Sequence, residues 1–144
     1  MTVRKALISD MDRVIEMALR FVAETPYGEY ITIRPDRLAL TVSSLMANPD
    51  AAILVSENGS RLTGMIGMMA YDHPYSGERT AFEVVWWVDP ESRGDGVRLL
   101  RAAEEWAREH GAIKAQMVAP NERVGALYAR LGYTPVETSY QRSL

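Results

Sequence analysis

Arg93, Gly94, Asp95 and Gly96 make a short turn between a β-branched and aromatic run, Val84 to Val88, and an amphipathic stretch that ends at His110-Gly111. A strand, a glycine loop and a helix in that order can hold an anion. Gly94 and Gly96 let the backbone approach a bulky group, and the first N–H groups of the helix have no carbonyl partner inside it. With the positive end of the helix dipole they form a seat for a pyrophosphate. The alternative is a plain strand-to-helix turn that carries two glycines. Other chemistry-bearing residues are sparse. Cysteine is absent, which removes disulfides, thiolate metal sites and a cysteine nucleophile together. His73 in a turn and His110 at a helix end lack ligand spacing, so no metal is expected.

The elements that position this loop follow from periodicity and punctuation. Thr2 to Ile8 suits a strand, and Ser9 with Asp12 gives an S-x-x-D cap for a helix whose stripe is Val14, Ile15, Ala18, Leu19 and Val22. That helix is expected to end near Glu24, before Thr25-Pro26. Pro35 then opens a second helix through about Ala47. Ala51 to Ser56 and Leu62 to Tyr71 form a hairpin about Glu57-Asn58-Gly59-Ser60, where Asn-Gly suits a type I′ turn. Gly64 and Gly67 suggest close approach or bulging in its second strand. After a polar loop comes the strand Thr80 to Val88. Beyond the central helix, Ile113 to Val118 reads as a strand, Glu122 to Leu131 as a helix stopped by Gly132, and Tyr133 to Arg142 as strand composition broken by Pro135. The order β-α-α-β-β-β-α-β-α-β implies an α/β fold, a mixed sheet with helices on both faces, in a single domain over residues 1–144.

Composition narrows the classes. With 144 residues, 47 % hydrophobic and 24 % charged, the chain can bury a core without metals or disulfides. A net charge of −3 argues against nucleic-acid or membrane-surface partners, which need a dense positive face. The start MTVRKALISDMDR offers no signal peptide, and no stretch approaches the roughly 20 apolar residues of a membrane span. A soluble, unprocessed protein of the reducing cytoplasm is the expectation.

Two motifs in series now carry a resemblance. The run Val88-x-Pro90-x-x-Arg93-Gly94-x-Gly96-Val97, with Leu99 and Leu100 behind it, resembles the acetyl-CoA loop of the GNAT acetyltransferase superfamily. Downstream, Asn121, Ala126, Tyr128, Leu131, Gly132 and Tyr133 are similar to its N-x-x-x-x-A-x-Y-x-x-L-G-[FY] helix. The superfamily usually has Gly or Ala where this chain has Arg98, which pointing outward would reach a phosphate as an extra cation.

The resemblance implies transfer of an acetyl group from acetyl-CoA to an amine of a small molecule or peptide, directly in a ternary complex. Backbone N–H groups of Arg93, Gly94, Asp95, Gly96, Val97 and Arg98 would hold the pyrophosphate, with the Arg93 side chain beside it. Main-chain groups of Trp86, Trp87 and Val88 would pair with the pantetheine arm, while the indole rings pack. Tyr128 would protonate the leaving thiolate, or else be a core tyrosine. Glu83 is the general-base candidate, with a salt-bridged or solvated strand carboxylate as the alternative. It lies five residues before Val88 where the pattern gives about six, so a bulge must intervene to keep the expected face. Asn121 would contact the cofactor or cap its helix.

The acceptor would meet Thr25 to Arg34, with Glu24, Tyr27, Glu29 and Tyr30 near it, and the loop Asp72 to Arg79. The apolar late strands would suit a homodimer edge. A different class remains open, an acyl-CoA-binding sensor or assembly module with weak or no catalysis. An acetyltransferase directed at nucleic acid would need a basic face that this composition lacks.

Overall fold

The computed structural model describes residues 1–144. Five strands form one mixed sheet in the order β1-β2-β3-β4-β5: Thr2–Lys5, Ala51–Asn58, Arg61–Asp72, Arg79–Val88 and Lys114–Gln116. The first three pairings are antiparallel and β4 with β5 is parallel. Helices α1 (Met11–Ala23), α2 (Tyr27–Tyr30) and α3 (Pro35–Ala47) lie between β1 and β2; α4 (Gly96–Glu109) joins β4 to β5, and α5 (Glu122–Arg130) follows. None is long and apolar enough to cross a membrane.

Burial on both faces explains the composition of the sheet. Along β2, Ala52 and Leu54 pack with Leu99, Leu100, Ala103 and Trp106 of α4, while Ala51, Ile53 and Val55 pack with Val14, Met17, Val42 and Leu45 of α1 and α3. A strand covered on both sides reads as a continuous apolar run, as β2 does. Met17, Met65 and Met68 are fully buried packing residues.

Three local expectations are corrected. Ser9 does not cap α1. Asp10 accepts the Leu7 N–H at 2.7 Å, closing a 3-10 turn over Ile8–Asp10, and bonds to Arg4 hold its carboxyl below the usual carboxylate range. The hairpin has positive φ at Gly59 alone, 64°, which fits a type II′ turn with glycine first and not type I′. The tail forms no strand: beyond Tyr133 the chain is irregular and exposed, tied by Gln116 Nε2 to Glu137 and by Gln141 Nε2 to the Tyr30 carbonyl. Pro135 lacks the N–H that an edge pairing there would need. On the α4 side, Glu104 accepts the Tyr133 hydroxyl at 2.9 Å and Arg101 at 2.9 Å, fastening the turn after α5 to α4.

Candidate functional site

The site is built on one irregularity in β4. Gly67 of β3 pairs with Val85 while the next residue, Met68, pairs with Glu83, so Val84 is an extra residue on β4. This β-bulge inverts the alternation that follows it. Ala81 belongs to the α4-side core, and Trp86 and Val88, five and seven residues on, pack on that same side. The one-residue discrepancy in the sequence is therefore a bulge at Val84, and Glu83 shares the α4 side with Trp86.

There Glu83 meets α5. Asn121 caps that helix by accepting the Val124 N–H at 3.0 Å, which is reason enough for an asparagine here. About two turns on, the Tyr128 ring stacks on Trp86 at 5.7 Å and its hydroxyl donates to Glu83 Oε2 at 2.9 Å. Glu83 Oε2 also accepts the Val118 N–H at 3.1 Å, and the Val118 carbonyl lies 3.2 Å from the Tyr128 hydroxyl. No cation reaches this pair. Burial, with Glu83 only 8 % exposed, pushes its carboxyl up to about 7 against the opposing pull of those two donors. Burial, and then the nearby Glu83 charge, raises the Tyr128 hydroxyl well above the usual tyrosine range. A carboxyl that titrates near neutrality, bonded to a hydroxyl, can exchange a proton with a third group.

The same place opens the sheet. β4 and β5 pair at Thr80, Ala81 and Phe82 only, and beyond Gln116 the Val118 amide turns to the Glu83 side chain in place of β4 backbone. From Glu83 to Val88 the side of β4 away from β3 has no strand partner, leaving the alternate, outward-facing main-chain groups within Trp86, Trp87 and Val88 available to an extended ligand. The Trp86 Nε1–H is buried without a hydrogen-bond partner.

Beyond β4, Pro90–Asp95 forms 3-10 turns that feed α4. The two glycines do different work. A Cβ on Gly94 would meet nothing within 4 Å, so the turn is open there; a Cβ on Gly96 would lie 3.4 Å from the Trp86 ring, so this buried glycine lets the start of α4 pack on the indole. Of the amides expected to face a pyrophosphate, that of Gly96 already donates to the Arg93 carbonyl. Arg93, Val97 and Arg98 are exposed at the helix start, and Asp95 is half-buried.

Tyr27 comes nearest the pair from the acceptor segment. It is half-buried against Phe21 at 5.3 Å and Tyr30 at 5.5 Å, and its hydroxyl is raised by burial, then by Tyr30 and Glu83. Glu24 is drawn to Arg20 at 3.5 Å, while Glu29 and Tyr30 face solvent. The loop 72–79 packs on itself and on Lys114, with Tyr75 exposed, and makes no contact with Glu83 or Tyr128. His110 ends α4, its Nδ1 2.8 Å from the Trp106 carbonyl.

Sequence reasoning missed Asp89. Its carboxylate is 0 % exposed and accepts from Arg13, Arg20, Arg61 and the Trp87 indole. The only trace is the spacing of Arg13 and Arg20, two helical turns apart on α1.

Comparison with known proteins gives these arrangements a context. Residues 15–133 match the family model described as Acetyltransferase (GNAT) family. A relative, N-acetyltransferase 8F1 of Rattus norvegicus, is 28 % identical over 120 residues, which is 81 % of this chain and 53 % of that protein. The chain thus spans about half the length of the curated relative that it matches. Among solved structures, the apo aminoglycoside antibiotic 6'-N-acetyltransferase AAC(6')-IG of Acinetobacter haemolyticus superposes with a TM-score of 0.80 at 17 % identity, covering 100 % of this chain and 98 % of its own. A predicted acetyltransferase with acetyl-CoA from Clostridium acetobutylicum gives 0.80 at 18 % identity over 99 % and 95 %. These two likenesses are likenesses of fold.

Proposed function

The chain belongs to the acetyltransferase (GNAT) family, and on that premise we propose that it transfers an acetyl group from acetyl-CoA to a primary amine of a small molecule or peptide. The observation that carries this reading is the buried 2.9 Å bond between Tyr128 and Glu83 at the mouth of the β4/β5 gap.

The residues present fit the co-substrate. The open turn at Gly94, the exposed cations Arg93 and Arg98, the start of α4, the unpartnered edge of β4 and the orphaned Trp86 Nε1–H would hold its phosphates and extended arm. Acetyl-CoA supplies the acetyl group as an activated thioester, so no covalent enzyme intermediate is needed. Glu83 in its carboxylate form takes a proton from the acceptor ammonium, directly or through a water. Tyr128 gives its hydroxyl proton to the departing thiolate. Because that hydroxyl is bonded to Glu83, the proton gained by the carboxyl can pass to the tyrosinate, and the pair ends a turnover as it began; the second proton, lost by the amine nitrogen as the amide forms, leaves to solvent. Tyr27 and Tyr30 would line the acceptor side.

A second reading has its own support. Glu83 and Tyr128 between them engage both the N–H and the C=O of Val118, so they also clasp β5 where it leaves β4. An acyl-CoA-binding module without catalysis could keep the pair for that purpose alone. Calorimetric titration with acetyl-CoA is the first test, repeated on Gly94→Glu, which puts a carboxylate at the open position of the turn, where a Cβ meets nothing within 4 Å. Micromolar binding lost in the variant supports the cofactor reading, and no binding to the wild type sinks it. An amine screen with a free-thiol assay then separates enzyme from binding module.

A further inference from the structure

We propose that Asp89 is the positioning residue of the cofactor loop, holding the turn that precedes α4 in register with the acceptor-side helix α1; this rests on the acetyl-CoA reading above. Asp89 is the residue at which β4 becomes the loop. Its N–H donates to the Thr63 carbonyl at 2.8 Å and its carbonyl accepts the Ser92 N–H at 2.8 Å, so its backbone joins β3 to the first 3-10 turn. Its carboxylate gathers the rest. Oδ2 accepts from Arg13 at 2.6 Å and Arg61 at 3.1 Å, and Oδ1 from Arg20 at 3.2 Å and Trp87 Nε1 at 3.1 Å.

These donors come from separate elements. Arg13 and Arg20 stand on α1, which leads towards Tyr27. Arg61 opens β3 and also holds Glu91 of the loop at 2.9 Å, so one guanidinium bridges two loop carboxylates. The Arg20 guanidinium lies 5.1 Å over the Trp87 ring. Stability alone does not call for such a cluster, because buried ion pairs often contribute less than an apolar replacement would. Fixing a turn does call for it. Amides at a helix start bind phosphate well when they are already aimed, since a frozen turn has little ordering left to lose on binding.

The rival role for the cluster is purely electrostatic, and it predicts the opposite sign. Removing the Asp89 charge would leave three guanidinium groups with only their outer carboxylates, Glu16, Glu24 and Glu91, raise the positive potential at the anion seat and tighten binding. Positioning predicts weaker binding. Acetyl-CoA affinity should be measured by calorimetry on wild type, Asp89→Asn, Arg61→Lys and Arg79→Lys, with thermal melts on each. Arg61→Lys keeps the charge but shortens the side chain and loses the planar Nη2 group that meets both Asp89 and Glu91, on a side chain 61 % exposed. The expected Kd rises about tenfold in Asp89→Asn and about threefold in Arg61→Lys. Arg79→Lys, which disturbs ion pairs to Asp50 and Asp72 at the far end of β4, should leave Kd unchanged. Unchanged or tighter binding by Asp89→Asn overturns the positioning role. If that variant does not fold, wild-type affinity in Arg61→Lys overturns it. A wild type that binds no acetyl-CoA removes the loop reading and this inference with it.

Discussion

β4 and the residue that follows it carry two buried carboxylates six residues apart, Glu83 and Asp89, and their surroundings are opposite. Asp89 is met by three guanidinium groups and an indole N–H; Glu83 is met by one phenol and one backbone amide, with no cation. A buried charge that is neutralised and bonded on every side is fixed in place, whereas one left with neutral donors can gain and lose a proton near neutrality. On the proposed function, the chain keeps its scaffold carboxylate at the loop end and its reactive carboxyl at the gap.

The sharpest way to break this contrast is to remove each charge in turn. Asp89→Asn should cost about 3 kcal/mol in a urea melt, because a buried carboxylate bonded by three guanidinium groups loses its charge, although each arginine keeps a second carboxylate. A loss below about 1 kcal/mol would mean that the cluster is not held as described. Glu83→Gln should behave differently. Since burial raises the Glu83 carboxyl to about 7, the folded protein retains a proton that the unfolded chain releases above about 4.5. Wild-type stability from this group is full below about pH 4.5 and declines as pH rises through 7, by up to about 3 kcal/mol. Glu83→Gln should flatten that decline, and identical pH profiles would place the titration elsewhere.

Chemistry gives the next effect. Tyr128→Phe should lower turnover about a hundredfold with acetyl-CoA affinity nearly unchanged, and an unaltered rate would leave the pair with its clasp role only. The wild-type kcat/KM should rise with pH through about 7 as Glu83 becomes a carboxylate, a limb missing from Glu83→Gln. The smallest effect belongs to Arg79→Gln. Its partly exposed ion pairs should contribute no more than about 1 kcal/mol, and a larger loss would show that charge at the other end of β4 also matters.

Much of this was legible in the sequence because it is local. Pro35 to Ala47 forms the expected helix, the β2/β3 hairpin falls where Asn-Gly placed it, and the central helix ends at His110-Gly111 with Gly111 at φ 79°. Even the bulge left a mark, as a spacing of five where six was expected. The rest depends on long-range contact. Asp89 meets arginines 28, 69 and 76 residues away, and no period or cap signals such a meeting. The tail had strand-forming residues, but β composition becomes a strand only with a neighbour in register, and Pro135 removes one of the donors.

Val84 stands 39 % exposed at the bulge. It works as a spacer, and a spacer's side chain matters less than its being there. Many residues would serve at this position. Deleting it would leave Glu83 opposite Met68 and Val85 opposite Gly67 as neighbours in an unbroken ladder, each on its present face. What the extra residue gives the strand is the local bend beside Glu83, while the facing of the other side chains is held by their register with β3.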